Sequence, residues 1–122
     1  MAVVPLNKDE IKKMQWVCRL AAETLAYAGK FVKAGITTNE IDQIVYDYTL
    51  KNNANPACLG YHGYPKTICA SVNQVICHGL PDATVLKDGD IINLDITSEK
   101  DGFFGDCSAT FFVGNVMQTK RW

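Results

Sequence analysis

The sequence predicts an α+β domain in which helices cover an antiparallel sheet. Three observations predict this class: two amphipathic helix patterns at the start, short β-branched segments in the middle, and polar–apolar alternation over residues 92–97 and 106–113. The composition is globular, with 48% hydrophobic and 20% charged residues. We therefore expect residues 1–122 to form a single domain.

Two helices are predicted in the N-terminal part of the chain. The pairs Asn7–Glu10 and Thr37–Glu40 both fit the capping box that begins a helix, and Gly35 is a stop signal for the first helix. An apolar stripe at helical spacing predicts the buried side of the first helix: Ile11, Met14, Cys18, Ala21, Leu25 and Ala28. The corresponding positions of the second helix are Ile41, Ile44, Val45 and Tyr48.

The middle of the chain is rich in Gly, Pro, Tyr and Cys, a composition typical of turns and loops. Within it, ICASV and QVICHG are short and β-branched, and we predict them as strands. His62 and His78 are each a candidate ligand, proton-transfer group or hydrogen-bonded structural residue. Cys58 is a candidate nucleophile beside His62. Without an identifiable acid partner, a packed thiol is the plainer interpretation.

The last third of the chain predicts a β-hairpin with Asp101-Gly102 as its two-residue loop. In this register Asp106 faces Thr97, and Asp95 is a diagonal neighbour of Asp106 on the same polar face. A loop one residue earlier would place the two aspartates directly opposite each other. A register between these two would place them on opposite faces.

The two aspartates share a face that contains no Lys or Arg. In the diagonal arrangement their Cβ atoms are about 5.5–8 Å apart. Carboxylates held this close repel, so that one binds a proton or a cation lies between them. Oxygen-rich surroundings suit hard or borderline divalent metals, which predicts a metal site with Thr97 in support. The alternative is the solvated face of an amphipathic hairpin, which is the commoner role for such a face.

Charge and targeting signals narrow the class of protein. The net charge is −1, and no basic stripe suggests a nucleic-acid partner. The apolar runs are too short to span a bilayer, and the start lacks the pattern of a secretory signal. The five cysteines include no C-x-x-C pair. We therefore expect reduced thiols in a cytoplasmic protein with no membrane or nucleic-acid partner.

The string CLGYHGYPKTICASVNQVICHGLPD, followed by LKDGDIINLDITSEKDGFFGDCSATFFVG, closely resembles the type I methionine aminopeptidases. The similarity runs from the first helix to Gly114. It implies the N-terminal half of a pita-bread fold, a curved antiparallel sheet covered by helices, so that residues 1–122 are a single partial catalytic domain. It also implies removal of the initiator methionine from nascent polypeptides. The cofactors would be two divalent ions (Co, Mn, Fe or Zn) whose bridging water has a lowered pKa.

The resemblance also implies roles for individual residues and for partners. Asp95 in NLDIT and Asp106 in FGDCS match two metal ligands, and Thr97 matches a residue that supports metal-bound solvent. His78 in CHGLP matches the catalytic histidine, which contacts the scissile amide. The positions that match the methionine pocket are Cys58, Tyr61, His62 and Tyr64. The positions that match a monovalent cation site are Asn73 and Val75. The implied partner is a polypeptide N-terminus beginning with methionine, and the resemblance admits the ribosome as a second partner.

The resemblance covers only the first half of the family's fold. The family's ligand histidine and its two ligand glutamates lie further along than Trp122, so we expect this chain to be the N-terminal part of such an enzyme. Two alternatives stay open. One is a non-enzymatic half-fold that dimerises or binds a partner through its open sheet edge. The other is a simple cation-binding domain.

A prediction about activity follows from this partial ligand set. With added Co²⁺ or Mn²⁺, the 122-residue chain is expected to release little or no methionine from a Met-Ala-Ser peptide, because two aspartates define no two-metal geometry. Released methionine is measured by chromatography. Clear turnover would show that the missing ligands are supplied by another chain or are dispensable.

Overall fold

The computed structural model describes residues 6–57, 59, 66–73 and 80–114. Within these residues the chain forms two helices followed by four strands. The helices are α1 (Lys8–Gly29) and α2 (Thr38–Lys51), and the strands are β1 (Asn55–Pro56), β2 (Cys69–Val72), β3 (Ile91–Lys100) and β4 (Phe103–Phe112). All described strand pairs are antiparallel, so the predicted α+β class is confirmed.

Both predicted capping boxes begin their helices. The Glu10 backbone N–H donates to Asn7 Oδ1 at 2.8 Å, and the Asn7 backbone N–H donates to Glu10 Oε1 at 2.9 Å. Thr37 and Glu40 make the same reciprocal pair at the start of α2. The predicted end of α1 at Gly35 is wrong, because the helix ends at Gly29. Gly35 instead has a φ of +96° in the connection to α2, which favours glycine.

The buried face of α1 differs from the predicted stripe in its first half. The buried residues are Val17, Leu20, Ala21, Thr24, Leu25 and Ala28. Ile11 is 43% exposed and Cys18 is also exposed, so their predicted burial is wrong. The cause is a close backbone contact with β4. A Cβ atom added to Gly105 would lie 2.6 Å from the Val17 carbonyl oxygen, and this contact fixes which side of α1 faces the sheet.

Strand β3 is the centre of the sheet. It pairs along its whole length with β4 on one side, and on the other side with β2 near Ile92–Asp95 and with β1 near Ser98–Glu99. Strand β2 confirms the prediction for ICASV. The predicted strand QVICHG includes residues 74–79, which lie outside the described residues.

The β3–β4 register is the one predicted for an Asp101-Gly102 loop. Thr97 pairs with Asp106, and Asp95 pairs with Ser108. Asp101 has a φ of +53° and Gly102 a φ of +83°, the two positive values that a type I′ turn requires. The turn and the ladder therefore specify the same register.

The sheet separates an apolar face from a polar one. Ile92, Leu94 and Ile96 are almost fully buried and pack with residues of α1, α2 and β2 in one core. The intervening side chains point to the opposite face. We call this the open face, and we define it by Asn93, Asp95, Thr97 and Glu99 of β3 with Phe104, Asp106, Ser108, Thr110 and Phe112 of β4.

Across the described ranges, neither helix has the length and hydropathy needed to cross a membrane.

The contact between α1 and β4 generates a prediction about stability. Gly105→Ala is expected to lower the free energy of unfolding by about 1–3 kcal/mol, because the new methyl group would overlap the helix backbone rather than a flexible side chain. Urea unfolding followed by circular dichroism measures the change. Ser108→Ala on the exposed side of the same strand is the control, and equal stability of both variants would contradict the packing argument.

Candidate metal centre

The open face and the adjoining strand β2 place polar residues of three strands in rows. Asp95 pairs with Ser108 on β4 and with Cys69 on β2, so these three residues form one row across the sheet. Thr97 and Asp106 form the next row. Because directly paired residues of antiparallel strands lie on the same face, both predicted ligands share the open face, one row apart.

Asp106 is oriented by its neighbour across the ladder. The Thr97 hydroxyl donates to Asp106 Oδ1 at 3.1 Å. One carboxylate oxygen, Oδ1, is therefore held by a hydrogen bond within the hairpin. The Asp106 residue as a whole is exposed to solvent. Thr97 thus positions Asp106, and the support of metal-bound solvent that was predicted for Thr97 stays a prediction.

A second polar pair lies further along the same face. The Asn93 side-chain amide donates to the Thr110 hydroxyl at 3.2 Å. The open face therefore presents carboxylate, amide and hydroxyl groups in its centre, and no Lys or Arg occupies the positions of β3 and β4 that form it. Exposed phenylalanines lie at the two ends of its β4 side, Phe104 at 56% and Phe112 at 39% exposure.

Glu99 is a third carboxylate on the open face, and its oxygens already have partners. Oε2 accepts the Gly102 backbone N–H at 2.8 Å, and Oε1 accepts the Asn55 side-chain amide at 2.9 Å. These bonds, with the Gly102 N–H the largest cause, hold the pKa of Glu99 below its usual range. Glu99 therefore stays ionised while serving the hairpin turn and β1.

Cys69 is a neighbour of the candidate metal centre that was not predicted from the sequence. It is a half-buried free thiol at the start of β2, in the row of Asp95. The prediction that ICASV is a strand placed it on β2, but the pairing of β2 with β3 depends on contacts far apart in sequence. The backbone N–H groups of Thr67 and Ile68, directly before β2, donate to Asp42 Oδ1 at 2.7 and 3.0 Å.

Asp42 anchors the start of β2 from helix α2. Its pKa is raised above the usual value by burial, and the two backbone N–H groups oppose that rise. The side chain of Lys66 donates to Asn39 Oδ1 at 2.9 Å in the same region. The entry of the chain into β2 is therefore fixed to α2.

Asn73 lies at the end of β2 in a left-handed conformation, with a φ of +54°. Its side-chain oxygen accepts the Ile91 backbone N–H at 2.9 Å, and its amide donates to Asp90 Oδ1 at 3.1 Å. These contacts join the end of β2 to the start of β3. The monovalent cation site that was predicted at Asn73 stays a prediction.

The structure brings Asp95, Asp106 and Thr97 together as predicted. The other predicted site residues lie outside the described residues: Cys58, Tyr61, His62, Tyr64, Val75 and His78. The roles assigned to them stay predictions. The described part of the chain contains no cluster of three or more His, Cys, Asp or Glu side chains that is arranged to hold a metal ion.

The oxygen atoms of the described residues are suited to form part of the ligand set of a divalent metal ion. Two carboxylates on one face, with hydroxyl neighbours and no basic residue among them, match the hard oxygen ligands of such ions. The strands that carry them pair with each other along their whole length, which suits a preorganised site. A complete set needs further ligands beyond these two.

Comparison with known proteins agrees with this geometry. Residues 12–122 match metallopeptidase family M24. The chain is 52% identical over 116 residues to a methionine aminopeptidase of Escherichia coli K12, covering 93% of this chain. It superposes on the crystal structure of methionine aminopeptidase from Rickettsia prowazekii with a TM-score of 0.91 and 43% identity, covering 98% of this chain. Because these relatives are named as enzymes, the comparison does not favour the alternative prediction of a non-enzymatic half-fold.

More distant structures share the fold alone. An Xaa-Pro dipeptidase from Bacillus anthracis superposes with a TM-score of 0.75 at 19% identity. The described architecture is therefore one half of a pita-bread fold, as predicted. The chain spans 44% of the length of the Escherichia coli relative and 48% of the Rickettsia prowazekii chain.

Metal titration tests the aspartate pair. In an NMR titration with Mn²⁺, the amide signals of Asp95, Thr97 and Asp106 are expected to broaden first, because the two carboxylates on this face are the predicted ligands of the ion. Asp95→Asn and Asp106→Asn are each expected to weaken this effect about tenfold, since each removes one charged ligand.

Asp101→Asn is the matched control for this titration. It removes a carboxylate from the same hairpin but in the turn, where asparagine tolerates the positive φ. Broadening that persists in both ligand variants, or that centres on another part of the chain, would contradict the site.

Proposed function

This chain belongs to metallopeptidase family M24, and we propose that it forms the N-terminal half of the catalytic domain of a methionine aminopeptidase. The observation that carries the proposal is the pair Asp95 and Asp106, one row apart on the open face, with Thr97 bonded to Asp106. Residues 1–122 are, in this proposal, one partial catalytic domain. The reaction is removal of the initiator methionine from a nascent protein.

Family membership implies the use of divalent metal, and we propose two ions as the cofactor, drawn from Co, Mn, Fe or Zn. Asp95 and Asp106 would hold them together with ligands from the rest of the protein. When bound, the ions would polarise the scissile carbonyl and lower the pKa of a water molecule so that hydroxide is available near neutral pH.

The side chains of the hairpin contribute orientation and charge. Thr97 holds one oxygen of Asp106, which fixes the direction of the other oxygen before any ion binds. Asp95 lies in the adjacent row, so the two negative charges converge on one region of the open face. The free α-amino group of a peptide would bind at one of the ions that these aspartates hold, which favours chain ends over internal peptide bonds.

Substrate recognition is assigned to residues that flank this hairpin in sequence. We assign His78 to catalysis through contact with the scissile amide. The methionine side chain would occupy a pocket formed by Cys58, Tyr61, His62 and Tyr64, an apolar lining suited to a thioether. Asn73 and Val75 would lie near a monovalent cation.

The partner in this proposal is a polypeptide N-terminus that begins with methionine. Nascent chains carry that residue while they are still being synthesised, so we propose the cytoplasm as the compartment and the ribosome as a second candidate partner. The support for the peptide partner is the named activity of the relatives.

A chimera tests the proposed function. In this chimera, the present 122-residue chain replaces the matching segment of the Escherichia coli methionine aminopeptidase. The two sequences are 52% identical over 116 residues. The chimera is expected to release methionine from Met-Ala-Ser in the presence of Co²⁺ or Mn²⁺, because this chain would supply its share of the ligands. Methionine release is measured by coupled oxidation.

Ligand variants of the chimera separate function from folding. Asp95→Asn and Asp106→Asn are expected to lower kcat at least about 100-fold, because loss of a ligand exceeds the loss caused by an outer-shell change. Asp101→Asn is expected to retain activity. A folded chimera, verified by circular dichroism, that releases no methionine would contradict the proposed function.

A further inference from the structure

Strand β1 is two residues long and needs support from outside its own backbone. Asn55 pairs with Glu99, and Pro56 pairs with Ser98. Proline has no backbone N–H, so half of this short strand donates nothing to the ladder. Two-residue pairing on a sheet is marginal by itself, which raises the question of what holds β1 beside β3.

Side chains at the hairpin tip supply that support. Glu99 accepts the Asn55 side-chain amide at 2.9 Å and the Gly102 backbone N–H at 2.8 Å, so one carboxylate joins β1 to the hairpin turn. The Lys100 ammonium group donates to the Asn53 carbonyl oxygen at 2.6 Å. Bonds that involve an ionised group are stronger than neutral ones. We call Asn55, Glu99, Gly102, Lys100 and Asn53 the tip clamp.

The segment held by the tip clamp begins at the end of α2. Asn53 has a φ of +61°, and its backbone N–H donates to the Leu50 carbonyl at 3.0 Å. The Ala54 backbone N–H donates to the Thr49 carbonyl at 3.1 Å, which completes a Schellman motif. The chain therefore leaves α2 in a fixed direction, and Lys100 binds at that exit.

The other end of the segment contacts the candidate metal centre. The Ala57 backbone N–H donates to the Thr97 carbonyl oxygen at 2.9 Å, and the Thr97 hydroxyl donates to Asp106. One residue therefore binds both the segment after β1 and a candidate metal ligand. Ala57 directly precedes Cys58 in the sequence.

We infer that Glu99 is a positioning residue, which through Asn55 holds β1 and Ala57 at a fixed distance from the aspartate pair. Its contribution rests on the proposed function, since the residue it positions leads into the segment assigned to methionine binding. Glu99 itself touches neither substrate nor metal in this role, because both of its oxygens are engaged with Asn55 and Gly102.

Hydrogen exchange on the 122-residue chain tests the structural part of the inference. Glu99→Ala is expected to accelerate exchange of the Ala57 amide about three- to tenfold, because β1 loses its charged anchor. Exchange at Ile96 and Leu94, within the long β3–β4 ladder, is expected to change little.

Three further variants distinguish loss of the bond between Asn55 and Glu99 from other consequences of replacing Glu99. Asn55→Ala removes the same bond but keeps the Glu99 carboxylate, so it is expected to reproduce the change at Ala57. Glu99→Gln keeps an oxygen for Asn55 and is expected to restore part of the protection. Glu23→Ala removes an exposed glutamate of α1 and is the control. These variants decide the question even if Glu99→Ala fails to fold.

The chimera described above tests the functional part. Glu99→Ala and Asn55→Ala are expected to raise KM for Met-Ala-Ser about tenfold and to change kcat less than about twofold, because binding geometry is altered while the metal ligands remain. If the role of Glu99 were purely structural, the variants would contain a smaller fraction of active enzyme, and KM would be unchanged.

The outcomes are distinguishable. Unchanged exchange at Ala57 in Glu99→Ala and Asn55→Ala would overturn the inference, and so would a kcat loss without a KM change. An inactive parent chimera would refute the proposed function but leave the exchange experiment valid. Faster exchange together with the KM increase supports both.

Discussion

The register of β3 against β4 is the constraint on which the candidate site depends. Each strand alternates its side chains between two faces, so a slip of one residue would move Asp106 from the open face to the helix-covered face. The Asp101-Gly102 turn supplies the two positive φ angles that this register needs. A local feature of two residues thus fixes the relation between carboxylates that are eleven positions apart.

Packing on the other side of the sheet reinforces this register. The backbone of α1 lies against Gly105, which pairs with Ser98 and directly precedes Asp106. Any side chain at Gly105 would displace the helix, so the smallest residue allows the closest approach. The apolar residues of β3 are buried against the helices, which leaves the polar residues on the open face. Core packing and site orientation are therefore two consequences of one alternation.

The features that could be predicted from the sequence are local ones. The caps at Asn7 and Thr37, the turn at Asp101 and the alternation of β3 each depend on residues close together in sequence, and each is confirmed. The burial of Val17 and the exposure of Cys18 on α1 could not be predicted, because they are set by a contact with a glycine far along the chain.

The position of Cys69 beside the site could not be predicted for the same reason. Cys69 lies opposite Asp95 because β2 pairs with β3 in one of several possible registers, and the choice is made by long-range contacts such as those of Asp42 with the residues before β2. Sequence periodicity identifies a strand and its faces but contains no information about the partner of each residue. The family resemblance supplied the role of the aspartates, whereas the structure supplied their neighbours.

The site also illustrates why a half-fold can hold ligands in place before the ligand set is complete. Asp95 and Asp106 belong to one continuous ribbon, so their separation costs no additional loop ordering when an ion binds. Carboxylates held close together repel, so under the proposed function a bound cation would relieve that repulsion and stabilise the hairpin. The ladder and the α1 contact must therefore outweigh that repulsion. The carboxylates accordingly lie on the longest paired strands of the described sheet rather than on β1 or β2, where pairing is short.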